Sequence, residues 1–315
     1  MNYSRIALFP FAMLVSISLL NATPSHAQPP QKNKVKSSMS SVTVFAAGDI
    51  ADCRKQPAHE TMAEQTARLV EQELAKDSKA MVITLGDNTY PIGKIEEFHD
   101  CYEPTWGRFK ARTLPSPGNH DYGVPLAQGY YNYFDELAGP DRRGYYKKTL
   151  GAWQVYSLNS NLKNEAMQTQ LAWLEKELQQ AEGKAKSNSC ILAFWHHPVF
   201  ASGGHGNNQT MIPAWKLLEK YQADLILAGH EHDYERLAPL TSKGERDEQE
   251  GIRSFVVGTG GVKLTPMFFP KAITDVRNNS NHGVLKLKLH ANSYEWEFLT
   301  VNGDGFTDKG QAQCH

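Results

Sequence analysis

Five short blocks of this chain carry side chains able to hold metal ions: Gly48-Asp49, Gly86-Asp87-Asn88-Thr89-Tyr90, Gly118-Asn119-His120-Asp121, His196-His197-Pro198 and Gly229-His230-Glu231-His232. Imidazole nitrogens mixed with carboxylate and amide oxygens suit zinc, iron, manganese or nickel, whereas an all-oxygen set would suit magnesium or calcium. A carboxylate has two oxygens, so one Asp can bridge two cations. Two cations about 3.5–4 Å apart can clamp phosphate oxygens and supply a hydroxide near neutral pH or below. Such chemistry needs donors from distant parts of the chain to meet on rigid supports.

The segments in front of the blocks read as those supports. Val42 to Ala47 is an apolar, β-branched run ending at Gly48-Asp49, and Met81 to Leu85 ends at Gly86-Asp87. Cys190 to Trp195 ends in the His pair, and Leu225 to Ala228 ends at Gly229-His230. Each predicts a buried strand, and in open α/β folds sites form at the carboxyl ends of strands. Leu114 leads into a sharp turn at Pro115-Ser116-Pro117-Gly118-Asn119. Helical spacing covers Glu60–Leu74, Ile212–Tyr221 and a helix begun near Ala166 that continues through Leu171–Leu178. Tyr145–Leu150 and Trp153–Leu158 form a hairpin through Gly151, and Ser254–Val257, Val284–His290 and Tyr294–Val301 are further strands. Alternating strands and helices followed by strands alone predict one α/β domain over 42–315 with mixed sheet content, without internal repeat or linker.

All five blocks in this order, with Gly229-His230-Glu231-His232-Asp233-Tyr234-Glu235-Arg236, resemble the calcineurin-like metallophosphoesterase superfamily over about Val42 to Gly261, and within it the purple acid phosphatases. The resemblance implies a four-layer α/β/β/α sandwich: two mixed β-sheets face to face, with helices outside. It implies that Asp49, Tyr90 and His232 bind a first metal, that Asp87 bridges, and that Asn119, His196 and His230 bind a second. It implies an acid phosphatase that hydrolyses small phosphomonoesters by attack of a metal-bound hydroxide at a binuclear centre of Fe(III) with divalent Fe, Zn or Mn. Two carboxylates, a tyrosinate and a bridging hydroxide carry about four negative charges, so a trivalent and a divalent ion leave about one positive charge to attract phosphate. Tyr90 therefore goes with Fe(III), and the protein should be coloured.

His120 follows a ligand directly, so it should face the substrate and protonate the leaving group. Asp121 would orient it or a neighbour. His205, in Ser202-Gly203-Gly204-His205-Gly206, is a second acid by the resemblance, since family members place a His in this loop. His197 should point away from His196, as strand alternation requires, and serve structure. Two departures stand out: Ile50-Ala51 replaces the Gly often found two positions after the first Asp, and Ala193 replaces the commoner Val. The alternatives are a dimanganese or dizinc phosphodiesterase of the same superfamily, and a metal-binding or adhesion protein without catalysis.

The formal net charge of -1 over 315 residues offers no global basic field, so neither nucleic acid nor an anionic membrane is an expected partner. Hydrophobic and charged shares of 40% and 21% are those of a soluble globular chain. Arg5, the apolar run Ile6–Leu20 and the exit Ser25-His26-Ala27 predict a signal peptide over 1–27, followed by a polar, disordered leader over 28–41. The run is short for a membrane span, which needs about 20 apolar residues. The expected location is secreted or periplasmic, with no membrane association after cleavage; nothing sets an oligomeric state. Cys53, Cys101, Cys190 and Cys314 allow three pairings. Cys53 with Cys101 is favoured because both lie in loops that follow the metal-bearing strands, and Cys190 with Cys314 would tie down the C-terminus. Gly258-Thr259-Gly260-Gly261 lacks the ending of a nucleotide loop and reads as a turn. Asn302-Gly303-Asp304-Gly305 lacks the later calcium ligands and reads as a hairpin turn. The aromatic loop Tyr102–Phe109 is either a wall of the site or a packed lid.

Overall fold

Among the described residues, thirteen strands in two sheets carry the candidate site. The computed structural model describes Pro10 and residues 41–184, 189–267, 269–303 and 305–315. The signal segment 1–27 and leader 28–41 lie outside the described residues except at Pro10 and Ser41, as does Asp304 of the 302–305 turn. The strands are β1 Val42–Ala47, β2 Met81–Leu85, β3 Thr113–Ser116, β4 Tyr146–Leu150, β5 Trp153–Ser157, β6 Ile191–Phe194, β7 Leu225–Ala228, β8 Tyr234–Leu237, β9 Arg253–Val257, β10 Thr274–Asn278, β11 Gly283–Leu289, β12 Ser293–Thr300 and β13 Lys309–Gln313. The helices are α1 Met62–Leu74, α2 Ile95–Glu97, α3 Gln128–Phe134, α4 Asn164–Lys184 and α5 Ile212–Lys220.

The first sheet runs β13-β12-β11-β1-β2-β3 and the second β10-β8-β9-β7-β6-β5-β4. In the first, parallel β1, β2 and β3 form one side, ending at edge strand β3, and antiparallel strands extend the sheet beyond β1; in the second, parallel β5, β6, β7 and β9 are flanked on both sides by antiparallel strands. Alternation in the second sheet divides the core. Leu192, Phe194, Leu225, Leu227, Phe255 and Val257 pack with Leu285, Leu287 and Trp296 of the first sheet. The intervening Ile191, Ala193, Ile226 and Val256 pack with Leu174, Leu178, Trp215 and Leu218 of α4 and α5. Helix α1 covers the first sheet through Ala63, Ala67, Val70 and Leu74, and its N-cap Thr61 accepts a hydrogen bond from the Glu64 amide at 3.2 Å. This is the expected four-layer α/β/β/α sandwich of two mixed β-sheets.

The aromatic loop is a packed lid. Trp106 and Tyr102 are fully buried, Phe98 stacks on Tyr133 at 4.9 Å, and the Trp106 indole donates to Thr66 of α1 at 3.0 Å. Disulfides join Cys53 to Cys101 and Cys190 to Cys314. The Gly258–Gly261 run packs on the loop that carries Asp49: the Gly260 amide donates to the Gly48 carbonyl at 2.9 Å and the Val262 amide to the Asp49 carbonyl at 3.0 Å.

Candidate metal centre

The blocks meet at the carboxyl ends of β1, β2, β3, β6 and β7. Asp49, Asp87 and His230 each hold a left-handed backbone, with φ of 60°, 49° and 71°. Non-glycine residues there are strained by about 1–3 kcal/mol each, a cost the surrounding packing must outweigh. Two glycines let the loops close. Gly86 has φ of 84° and a side chain there would meet His196 at 2.6 Å; one at Gly118 would meet Asp87 Oδ1 at 2.1 Å.

Two sets of donors form around Asp87. In the first, the Tyr90 hydroxyl lies 3.1 Å from Asp49 Oδ1 and 3.0 Å from Asp87 Oδ2, with His232 Nε2 at 3.5 Å. His232 Nε2 is also 3.4 Å from Asp49 Oδ1. In the second, His196 Nε2 lies 3.0 Å from Asn119 Oδ1, 3.2 Å from His230 Nδ1 and 3.4 Å from Asp87 Oδ2. Backbone carbonyls fix the rings. His196 Nδ1 donates to Leu85 at 2.8 Å and His232 Nδ1 to Lys263 at 3.1 Å. That leaves each Nε2 with its lone pair turned toward oxygen and nitrogen lone pairs, an arrangement that ligating histidines show.

Such a gathering is repulsive unless something positive sits in it. Burial opposes charge on His196, but Asp87 outweighs it and lifts the ring to about 9, so in the metal-free chain a proton occupies this place. Asp87 is held well below the usual carboxylate range, against its burial, by His196 and His120. Burial, then Asp49 and Asp87, push the Tyr90 phenol far above its ordinary value, and its single proton faces two carboxylates. The donor set fits a pair of cations that would replace these protons.

His120 flanks the centre. Its amide donates to Asp87 Oδ1 at 2.8 Å, and Nδ1 donates to the Pro91 carbonyl at 2.6 Å. Its ring lies 4.3 Å from that of Tyr90 and is 37% exposed, so Nε2 can reach a ligand in the cleft. Asp121 is fully buried and accepts from Gly118, from the Asn88 amide and from the Asn88 side chain, so it shapes the loop that carries Asn119 and His120 and does not touch the His120 ring in this arrangement. His205 packs on His230 with ring centroids 4.4 Å apart.

One expectation is corrected. His197 does not point away from His196: the ring centroids are 4.8 Å apart, and His197 lies 4.5 Å from the His230 ring. Strand β6 ends at Phe194, so alternation no longer governs residues 196 and 197. Its Nδ1 meets Ser160 Oγ at 2.8 Å, and burial with His196 nearby pushes its pKa down to about 3.

Sequence reasoning missed Glu231 and Glu235. Both are fully buried. Glu231 accepts from the His205 amide at 3.1 Å, the His205 ring at 3.2 Å and the Gly206 amide at 2.6 Å. Glu235 accepts from Ser202 at 2.7 Å and Gly203 at 3.1 Å. Together they clamp the Gly-rich loop over the second donor set. The signal available was three acids at alternate positions, Glu231, Asp233 and Glu235, entering a strand that has a buried face.

The calcineurin-like phosphoesterase family model matches residues 42–234, and the chain belongs to that family. Human acid phosphatase type 7 is 27% identical over 236 residues, covering 62% of this chain and 52% of that protein. Purple acid phosphatase 21 of Arabidopsis thaliana is 23% identical over 254 residues, covering 78% and 51%. The chain thus spans about half the length of these curated relatives. The solved purple acid phosphatase from yellow lupin seeds superposes with a TM-score of 0.68 at 17% identity, over 87% of this chain and 54% of that one. A Plasmodium protein described as the anchor in the inner membrane complex superposes with a TM-score of 0.66 at 14% identity, over 88% and 90%. Among the described residues no helix is long and apolar enough to cross a membrane.

Proposed function

We propose that this chain is an exported phosphatase that hydrolyses small phosphomonoesters at an acidic optimum with two metal ions, Fe(III) and a divalent Fe, Zn or Mn. The observation that carries the reading is the pair of donor sets sharing Asp87: Asp49, Tyr90 and His232 on one side, Asn119, His196 and His230 on the other. The relatives named as acid phosphatases support the reaction and its pH range. Export rests on the charged, apolar and small-residue start over 1–27 and on two disulfides, which persist in oxidising compartments. The catalytic domain is 42–315.

A cation pair here would polarise phosphoryl oxygens and lower the pKa of water, as two-metal hydrolases do. The protein's own groups supply the rest. Asp87 sits between both positions and is kept ionised. Pro91 fixes the His120 tautomer, so a proton that His120 delivers to a leaving alkoxide leaves from Nε2. Glu231 holds His205 against His230, where it can donate to the phosphoryl group. Asp121 keeps the turn before His120 closed.

An anchoring role, as described for the Plasmodium protein of this fold, gives no reason for lone pairs to converge at cost to the backbone. Rates on a monoester and a diester across pH, with elemental analysis of the same sample, test the proposal. Faster monoester hydrolysis at acidic pH by iron-containing protein upholds it. A diester preference with manganese or zinc supports the phosphodiesterase, and no hydrolysis by metal-loaded protein at any pH overturns the enzyme.

A further inference from the structure

A cavity of about 730 Å³ opens beside the His120 loop, and no part of the metal centre uses it. It is far larger than a phosphate group needs and falls within the usual size of small-molecule sites, about 300–1,000 Å³. Its walls come from loops at the same end of the sheets as the metal centre: Tyr122 and Leu126 after β3, Arg142, Arg143 and Tyr145 before β4, and Leu162 after β5. Two of its lining residues are chain neighbours of residues at the site. Tyr122 lies two residues from His120, and its amide donates to the Gly118 carbonyl at 3.3 Å. Leu162 lies two residues from Ser160, whose hydroxyl meets His197.

The chemistry of the walls is uneven. Tyr145 and Leu162 form an apolar floor, and Leu126 stands at the mouth 84% exposed. Arg143 lies over the Tyr145 ring at 4.8 Å, and Arg142 donates to Asn132 Oδ1 at 3.0 Å. Neither guanidinium has a carboxylate partner within 4.0 Å among the described residues. Asp141 also lines the cavity, so one positive charge is left over. Leu126, Asp141 and Arg142 have left-handed backbones, with φ of 56°, 55° and 53°. Strain of this kind is kept where the surroundings over-determine it, often at ligand sites.

We infer that this cavity is the leaving-group site and that the preferred substrates are aryl phosphomonoesters whose ring carries a second anionic group. This rests on the phosphatase reading above. The ring would lie on the apolar floor, where a flat aromatic face and the guanidinium planes can stack. The second anion would pair with Arg142 and Arg143, which match a carboxylate or phosphate in fork geometry. The ester oxygen would then leave toward His120.

The test compares kcat/KM of the metal-loaded full chain for glycerol 2-phosphate, phenyl phosphate and 4-carboxyphenyl phosphate, in wild type and in the Arg142→Ala, Arg143→Ala double variant. The intrinsic reactivity of each ester is the same for both proteins and cancels in the variant-to-wild-type ratio. The expected result is a fall of about tenfold in the preference for 4-carboxyphenyl over phenyl phosphate. An unchanged preference overturns the proposal. Leu126→Asp should lower the preference for both aryl esters over glycerol 2-phosphate, and an unchanged ratio there counts equally against it. If wild type cleaves none of the three, the phosphatase reading fails and calorimetry with 4-carboxyphenylphosphonate decides the cavity separately. Binding about tenfold tighter to wild type than to the double variant upholds the anion site, and equal or absent binding sinks it.

Discussion

The Nδ1 of His205 lies 3.2 Å from the Oε2 of fully buried Glu231, and the same carboxylate takes the backbone amides of His205 and Gly206. One side chain therefore sets both the loop and the ring that packs on His230. Glu231→Gln keeps an acceptor but must turn its amide N–H₂ toward backbone donors. Turnover should fall about tenfold or more, as when the partner of a site histidine is lost. Metal content should stay that of wild type. Steady-state rates with elemental analysis check this; metal lost in parallel with rate would assign Glu231 to the metal centre itself.

His120 is expected to carry a proton, not a metal. Its ring nitrogens meet Pro91 and the edge of the cleft, and only its amide contacts Asp87 at hydrogen-bond distance. His120→Ala should keep both metals and slow turnover by about 10²–10⁴. The loss should shrink for esters with acidic leaving groups, which leave without a proton. A uniform loss across leaving groups would argue against proton donation.

Tyr90 gives the centre its colour if iron is present. Its proton now faces Asp49 and Asp87, and burial beside two carboxylates makes ionisation costly unless a strongly charged cation takes the proton's place. Purified wild type should absorb visible light, and Tyr90→Phe should lose that band. An active but colourless wild-type protein without iron would remove the Fe(III) assignment and leave the phosphatase reading in place.

The two disulfides should separate stability from function. Cys190–Cys314, separated by 124 positions in sequence, is anchored just before β6, at the strand end away from His196, while Cys53–Cys101 lies in the loops that follow Asp49 and Tyr90. Replacing either pair with Ser should lower unfolding free energy by about 2–5 kcal/mol. Only the Cys53–Cys101 replacement should also weaken metal binding. Denaturation curves and metal titrations of both variants check the contrast; equal metal affinity in the two would show that the first loop stands without its crosslink.

Four of the five candidate metal blocks were legible because each follows a mostly apolar strand, as Val44-Phe45-Ala46-Ala47 does before Asp49 and Leu225-Ile226-Leu227-Ala228 before His230. Strands β8, β10 and β13 were not. Residues Tyr234–Leu237 carry Glu235 and Arg236 on opposite faces of the strand, to partners far away in sequence, the Ser202 amide and Asp308. Thr274–Asn278 and Lys309–Gln313 are edge strands made mostly of polar residues, held by pairing with a neighbour and not by an apolar face. Helix α3 was hidden because Gln128–Phe134 is crowded with aromatics whose packing against Phe98 and Tyr102 decides its conformation. His197 was misplaced for a local reason: strand alternation was extended past the last paired residue.

Asp87 is the residue on which the binuclear account turns, since its Oδ2 faces Tyr90 of one donor set and His196 of the other. Metal analysis of refolded or metal-loaded Asp87→Ala beside wild type is therefore the most direct test. The account predicts two metal ions per wild-type chain and loss of both from a variant that stays folded. A folded variant that still holds two ions, or a wild-type chain that binds only one, would contradict it.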